Sequence, residues 1–188
     1  MKELIFKVIF LFSMSSFSLG AVISDIDKTD IELSTRFDGT SLLVFGALSP
    51  ENNNTSLLVE VIGPSTSVDI TKKVQIWGIW VNKKIAQFQE IPSFYKISIS
   101  NPEHPILKEI EYQKLKSIFY DFLETNSTPE DGNRVEQYYH ELTRLKKKLG
   151  KLSIFEEKIN IIDKKLFSYK VNLPKKIHPG KYKIKMTL

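Results

Sequence analysis

The sequence predicts a mainly β protein: an immunoglobulin-like β-sandwich with an inserted α-helical hairpin. Three observations predict it. Apolar and polar residues alternate with a period of two early in the chain and again at its end. Between about residues 103 and 150 the apolar residues recur at helical spacing instead. Turn formers punctuate the strand-like runs, as in a sandwich. The chain has 188 residues, 41% of them hydrophobic and 26% charged, an ordinary balance for one domain with a core of its own.

Residues 1–20 are a different material. Lys2 and Lys7 flank an apolar run that includes Leu4, Ile5, Phe6 and Phe12, and small residues follow it, among them Ser18 and Gly20. A basic start, an apolar middle and a small-residue cleavage zone make a secretory signal peptide, with Ala21 as the first residue of the mature chain. The run is much shorter than the roughly 20 residues that span a bilayer. The domain is then 21–188, with the helical insertion at about 103–150. No cysteine is present, which excludes thiol catalysis and thiolate metal sites.

Elements follow in order. Asp25, Asp27 and Asp30 belong to a solvated N-terminal tail. Ile31, Leu33, Thr35 and Phe37 alternate with polar residues as a strand, and Asp38-Gly39 turns the chain. Residues 42–48 are apolar on both phases, which predicts a central strand covered on both faces. Leu57, Val59 and Val61 alternate up to Gly63-Pro64, and residues 72–82 form a further strand. Leu107, Ile110, Ile118, Phe119 and Phe122 mark a first helix. After turn formers at 126–133, Val135, Tyr138, Leu142, Leu145 and Leu149 make the stripe of a second, ended by Gly150. Phe167, Tyr169, Val171 and Leu173 then pair in a closing hairpin with the strand of Tyr182, Ile184 and Met186.

Residue chemistry names no reaction. His104, His140 and His178 lack the spacing of a zinc site. No phosphate-binding glycine loop and no nucleophile elbow occurs. The chain is therefore expected not to be an enzyme and to use no cofactor. Ten lysines against Glu156, Glu157 and Asp163 give residues 151–188 a balance of +7. Such a run is either a solvated strand face or a surface that attracts anionic headgroups. An exported chain has no call on nucleic acid.

Both tryptophans of the protein lie in Val74-Gln75-Ile76-Trp77-Gly78-Ile79-Trp80-Val81-Asn82. Apolar residues occupy one phase before Gly78 and the other phase after it. A one-residue bulge at Gly78 reconciles the halves. It turns Val74, Ile76, Ile79 and Val81 toward the core and puts Trp77, Trp80 and Asn82 together on the opposite face, which is then either covered by the helical hairpin or a binding surface. Tyr95 joins them as a candidate partner- or ligand-binding residue, since tryptophan and tyrosine are common interface anchors. Phe94 is expected in the core.

Several blocks carry a family resemblance: Phe37-Asp38-Gly39, Leu43-Val44-Phe45-Gly46-Ala47, Val61-Ile62-Gly63-Pro64, Gly78-Ile79-Trp80-Val81-Asn82, Pro92-Ser93-Phe94-Tyr95 and Pro179-Gly180-Lys181-Tyr182. Together they resemble the uncharacterised family called putative transmembrane proteins of alphaproteobacteria. The resemblance implies an export signal, an extracytoplasmic domain and a C-terminal membrane helix, which would lie beyond Leu188. It implies a periplasmic domain attached to the inner membrane. It also implies an inner-membrane partner, with a sulfite or organosulfonate exporter as the associated candidate. The function expected is a non-enzymatic accessory domain of a membrane-anchored protein that binds a membrane protein such as a transporter. The alternative is a periplasmic small-ligand-binding domain with an aromatic cleft. The basic C-terminal part would face the membrane surface.

Overall fold

A computed structural model describes residues 22–48, 56–101, 127–129 and 135–188, with side chains at all of these except 127–129 and 135–137. The described chain is mainly β, with eleven strands and one helix. The expected signal peptide and the first expected helix lie outside the described residues.

Two sheets share the principal core. The first is antiparallel, in the order β1 (Val22–Ile26), β2 (Thr40–Leu48), β10 (Leu166–Leu173), β9 (Asn160–Ile162). The second runs β11 (Lys183–Thr187), β3 (Leu58–Ile62), β6 (Tyr95–Ile99), β8 (Leu152–Lys158), and its β6–β8 pair is parallel. Period-two patterning explains the stacking. Val59 and Val61 send one face of β3 inward, fully buried, against Leu42 and Val44 of β2 and Phe167, Tyr169 and Val171 of β10. Burying such a side chain contributes about 1.5–3 kcal/mol. Phe94 closes one end of this core, with its ring edge-on to Tyr182 at 5.8 Å between centroids.

The third sheet is built on a long hairpin, β4 (Ser65–Ile76) and β5 (Ile79–Pro92), with the short β7 (Ser127–Pro129) on the outer edge of β5. A second core forms at the hairpin's root. Ala86, Phe88 and Ile91 of β5 meet Leu152 of β8 and are covered by Tyr138, Tyr139 and Leu142 of helix α1 (Val135–Lys148). Three lysines in the last turn of α1 oppose the helix dipole. Gly150, at a φ of 67°, then ends the helix, and the amides of Gly150 and Lys151 return to the carbonyls of Lys147 and Lys146.

Several expectations are corrected. Residues 31–37 form no strand. Their place is taken by β1 from the supposed tail, which pairs with β2 from Val22↔Leu48 to Ile26↔Val44. Strand β2 is central but covered on one face only, leaving Leu43 and Phe45 exposed. The turn formers near residue 127 supply the edge strand β7. The last two strands do not pair as a hairpin: β10 and β11 belong to different sheets, and residues 174–182 carry the chain across. The stripe of α1 is rotated by part of a turn. Tyr138, Tyr139, Leu142 and Lys146 are buried while Leu145 and Leu149 are exposed, because the ammonium of Lys146 donates to the Pro92 carbonyl at 2.6 Å.

Candidate functional site

Residues 72–82 are not one bulged strand. Trp77 and Gly78 form the two-residue turn of the β4–β5 hairpin, with φ angles of 50° and 81°. Positive φ at both central positions is the primed turn that suits the twist of paired strands. It reverses the chain instead of inserting a residue. The Gln75 side-chain amide donates to the Gly78 carbonyl at 3.3 Å and braces the turn. Glycine takes its conformation freely, but a tryptophan at positive φ is strained by the order of 1 kcal/mol. Trp77 is 98% exposed, so no packing in the folded chain offsets that strain.

The hairpin projects. Its root ends at the pair Ile70↔Ala86, where Ile85 is an extra residue in the ladder and Ala86 is the last buried one. Beyond it six cross-strand pairs, Thr71↔Lys84 to Ile76↔Ile79, run out into solvent, an arm of roughly 20 Å at strand spacing. Val74 alone is partly covered along residues 71–84. The four aliphatic residues Val74, Ile76, Ile79 and Val81 do share a face, but that face is not core: Ile76, Ile79 and Val81 are all exposed. Trp80 pairs with Gln75 on the other face, is 66% exposed, and shares that face with Asn82 opposite Lys73.

Tyr95 stands apart from them. It lies on β6 in register with Ile62 and Leu152, and its hydroxyl donates to Glu60 at 2.7 Å. Trp80 is twelve residues up β5 from Pro92, so the tyrosine and the tryptophans do not line one cleft. Burial first, then the Glu60 carboxylate, pushes the Tyr95 hydroxyl well above its ordinary range.

Two polar constellations in the body escaped the sequence reading. In the principal core Lys96 is buried beside the Phe94 ring and paired with Glu157. Glu157 also accepts from the Tyr169 hydroxyl at 2.7 Å, and Ser98 donates to that hydroxyl at 2.9 Å. In the second core burial, then the charge of Lys151, pushes Lys146 down to about 8. Lys151 is shifted down as well, by burial and then by Lys176. An open cavity of about 490 Å³ is lined by Ile31, Ile177 and Tyr182, with Asp30, His178 and Lys181 also on its wall.

The lysines give a pH prediction. Below pH 8 Lys146 is charged folded and unfolded, and its desolvation is a standing cost. From about 8 to 10.5 only the unfolded chain holds the proton, so stability rises with pH. Above 10 the trend reverses, because the unfolded chain ionises Tyr95 and Tyr169 and the fold resists it. Denaturation midpoints are expected to rise by the equivalent of about 2 kcal/mol between pH 7 and 10. Lys146→Met should flatten most of that rise.

Among the described residues no helix is long and apolar enough to cross a membrane. Over residues 21–188 the chain matches the family described as Putative transmembrane protein (Alph_Pro_TM). No curated protein and no solved structure matches it.

Proposed function

The chain belongs to the Putative transmembrane protein family, and from that premise we propose that it is a non-enzymatic, extracytoplasmic accessory domain that works by docking at a membrane, with the β4–β5 hairpin as its docking arm. The observation that carries this reading is the arm's end: two exposed tryptophans and three exposed aliphatic side chains, held beyond the body of the fold on a braced turn. Soluble chains seldom leave so much contiguous apolar surface open without a use for it, and exposed tryptophans are typical anchors of a contact.

Export by residues 1–20 and a periplasmic location are part of this reading; the family match begins at Ala21, where cleavage is expected. The two stacked sheets serve as an immunoglobulin-like scaffold that holds the arm. The small-ligand alternative loses its support, because Tyr95 is turned to Glu60 and no aromatic cleft joins it to Trp80.

Docking has a direct test. Trp77→Ala/Trp80→Ala should release the chain from membranes isolated from cells that express it, by at least about thirtyfold in apparent affinity, the weight of one strong anchor residue. Its melting temperature should stay within about 2 °C of the parent, since neither side chain is packed. Unchanged retention would reject the arm as the contact, and a large fall in melting temperature would make the tryptophans structural.

A further inference from the structure

We infer that the target of the arm is the lipid bilayer itself, and that its tip enters the interface of an anionic membrane as a tryptophan-tipped, lysine-collared finger. The inference rests on the docking reading and names what is docked to.

Charge order along the arm is the first ground. From Val74 to Val81 there is no charged residue, and immediately behind this segment stand Lys72, Lys73, Lys83 and Lys84. The ladder places Lys72 directly opposite Lys83, and Lys73 beside Asn82. Like charges directly opposite destabilise a strand pair in water. Asp69, which pairs with Lys84 at 3.1 Å, is the one acidic residue of β4, and β5 has none until Glu90. A layer of lipid phosphates would meet the lysines of both strands together, just behind the uncharged tip.

Length is the second ground. From the Trp77-Gly78 turn to Val74 and Val81 is about three residues, roughly 10 Å at strand spacing. That matches the roughly 5–10 Å to which amphipathic segments bury their apolar side at the headgroup boundary. With the tip at that depth, the collar sits among the phosphates and the tryptophans in the interfacial zone they favour. A lone hairpin could go no deeper, since its outer backbone groups are unpaired and hydrocarbon would not satisfy them. The tip is free of charge for just that distance and no further.

Composition is the third. Val74, Ile76, Ile79 and Val81 lie on one side of the arm and Trp80, paired with Gln75, on the other, with Trp77 at the end. A groove on a protein partner would be expected to cover one side and leave the other polar. An insertion all round the tip suits lipid.

Both tryptophans of the chain are at the tip, so tryptophan emission reports on it alone. The chain from residue 21, which contains every described element, is mixed with protein-free vesicles of phosphatidylcholine with or without phosphatidylglycerol. With phosphatidylglycerol, the emission should shift to the blue, be quenched by lipids brominated near the headgroup end of the acyl chain, and the chain should sediment with the vesicles. Pure phosphatidylcholine should bind it at least tenfold more weakly. Lys72→Gln/Lys83→Gln should weaken the partition roughly thirtyfold, at about 1 kcal/mol per lysine, with circular dichroism unchanged. Absence of a blue shift on anionic vesicles, or equal binding to both compositions, overturns the inference. If isolated native membranes still retain the chain through its tryptophans while protein-free vesicles do not, the arm docks on a membrane protein and only the lipid target is lost. If neither retains it, the docking reading falls too.

Discussion

Glu157→Ala is expected to destabilise the chain by about 3 kcal/mol, through the partners it abandons. Lys96 sits on the core-facing side of β6, in register with Val61, and its side chain is 5% exposed. Without the carboxylate its ammonium stays buried with no counter-charge, and the Tyr169 hydroxyl loses its acceptor. Removing one partner of a buried pair typically costs about 3–5 kcal/mol. The lower end applies because Glu157 is partly open to water, which can follow the ammonium in. The melting temperature should fall by roughly 10 °C. Lys96→Met/Glu157→Leu should recover most of the loss, because well-packed apolar residues commonly replace a buried pair at little or no cost. Denaturant midpoints at constant slope would measure both variants. If the two single losses simply add in the double variant, the side chains are not coupled and the network is incidental.

That network was hidden because local spacing does not show that Lys96 and Ser98 are buried, whereas β6 is covered on both faces from Lys96 to Ile99. Periodicity tells which residues alternate, not how many layers lie above them. The mainly β character, the inward phase of Leu57, Val59 and Val61, the burial of Phe94 and the end of α1 at Gly150 were all legible, since each depends on local spacing or local turn chemistry. Pairing between distant segments was not. The strand β1 is recognisable only through its ladder to β2, and the separation of β10 from β11 depends on which sheet each joins. Around Trp77, Trp80 and Asn82 the sequence suggested a bulge where the structure has a turn. A bulge and a turn both switch the apolar phase, so the switch at Gly78 could not separate them. One signal could have: from Lys72-Lys73 to Lys83-Lys84 the sequence is nearly symmetric about Trp77-Gly78, with Ile76 matching Ile79 and Val74 matching Val81. A strand that folds back on itself produces that symmetry; a bulge does not.

Leu142→Ala is expected to cost about 2–5 kcal/mol, and the loss should be felt at the root of the arm before it is felt in the sheets. Leu142 is 2% exposed and packs in the second core with Phe88, Ile91 and Leu152. A helix joined to the body as a dispensable insertion would be removable with little effect, and the sequence invites that view, since strands flank residues 103–150 on both sides. The structure gives α1 a different task. It covers the buried face of β5 just below the point where the hairpin leaves the body. Truncating Leu142 leaves a void among side chains anchored on three elements, β5, β8 and α1, that cannot all close in on it. Hydrogen exchange is the measurement to make. Amides of residues 85–91 and of α1 should exchange faster in the variant, while those of β2 and β10 keep their protection, because the principal core lies on other side chains. Tryptophan emission should not change, since both rings are already in water. If the arm docks as proposed, membrane retention should nevertheless weaken, because an arm on a loosened root loses more conformational entropy on docking. Acceleration of every amide by the same factor would instead mean that the two cores open as one unit, and that α1 stabilises the whole domain rather than the arm.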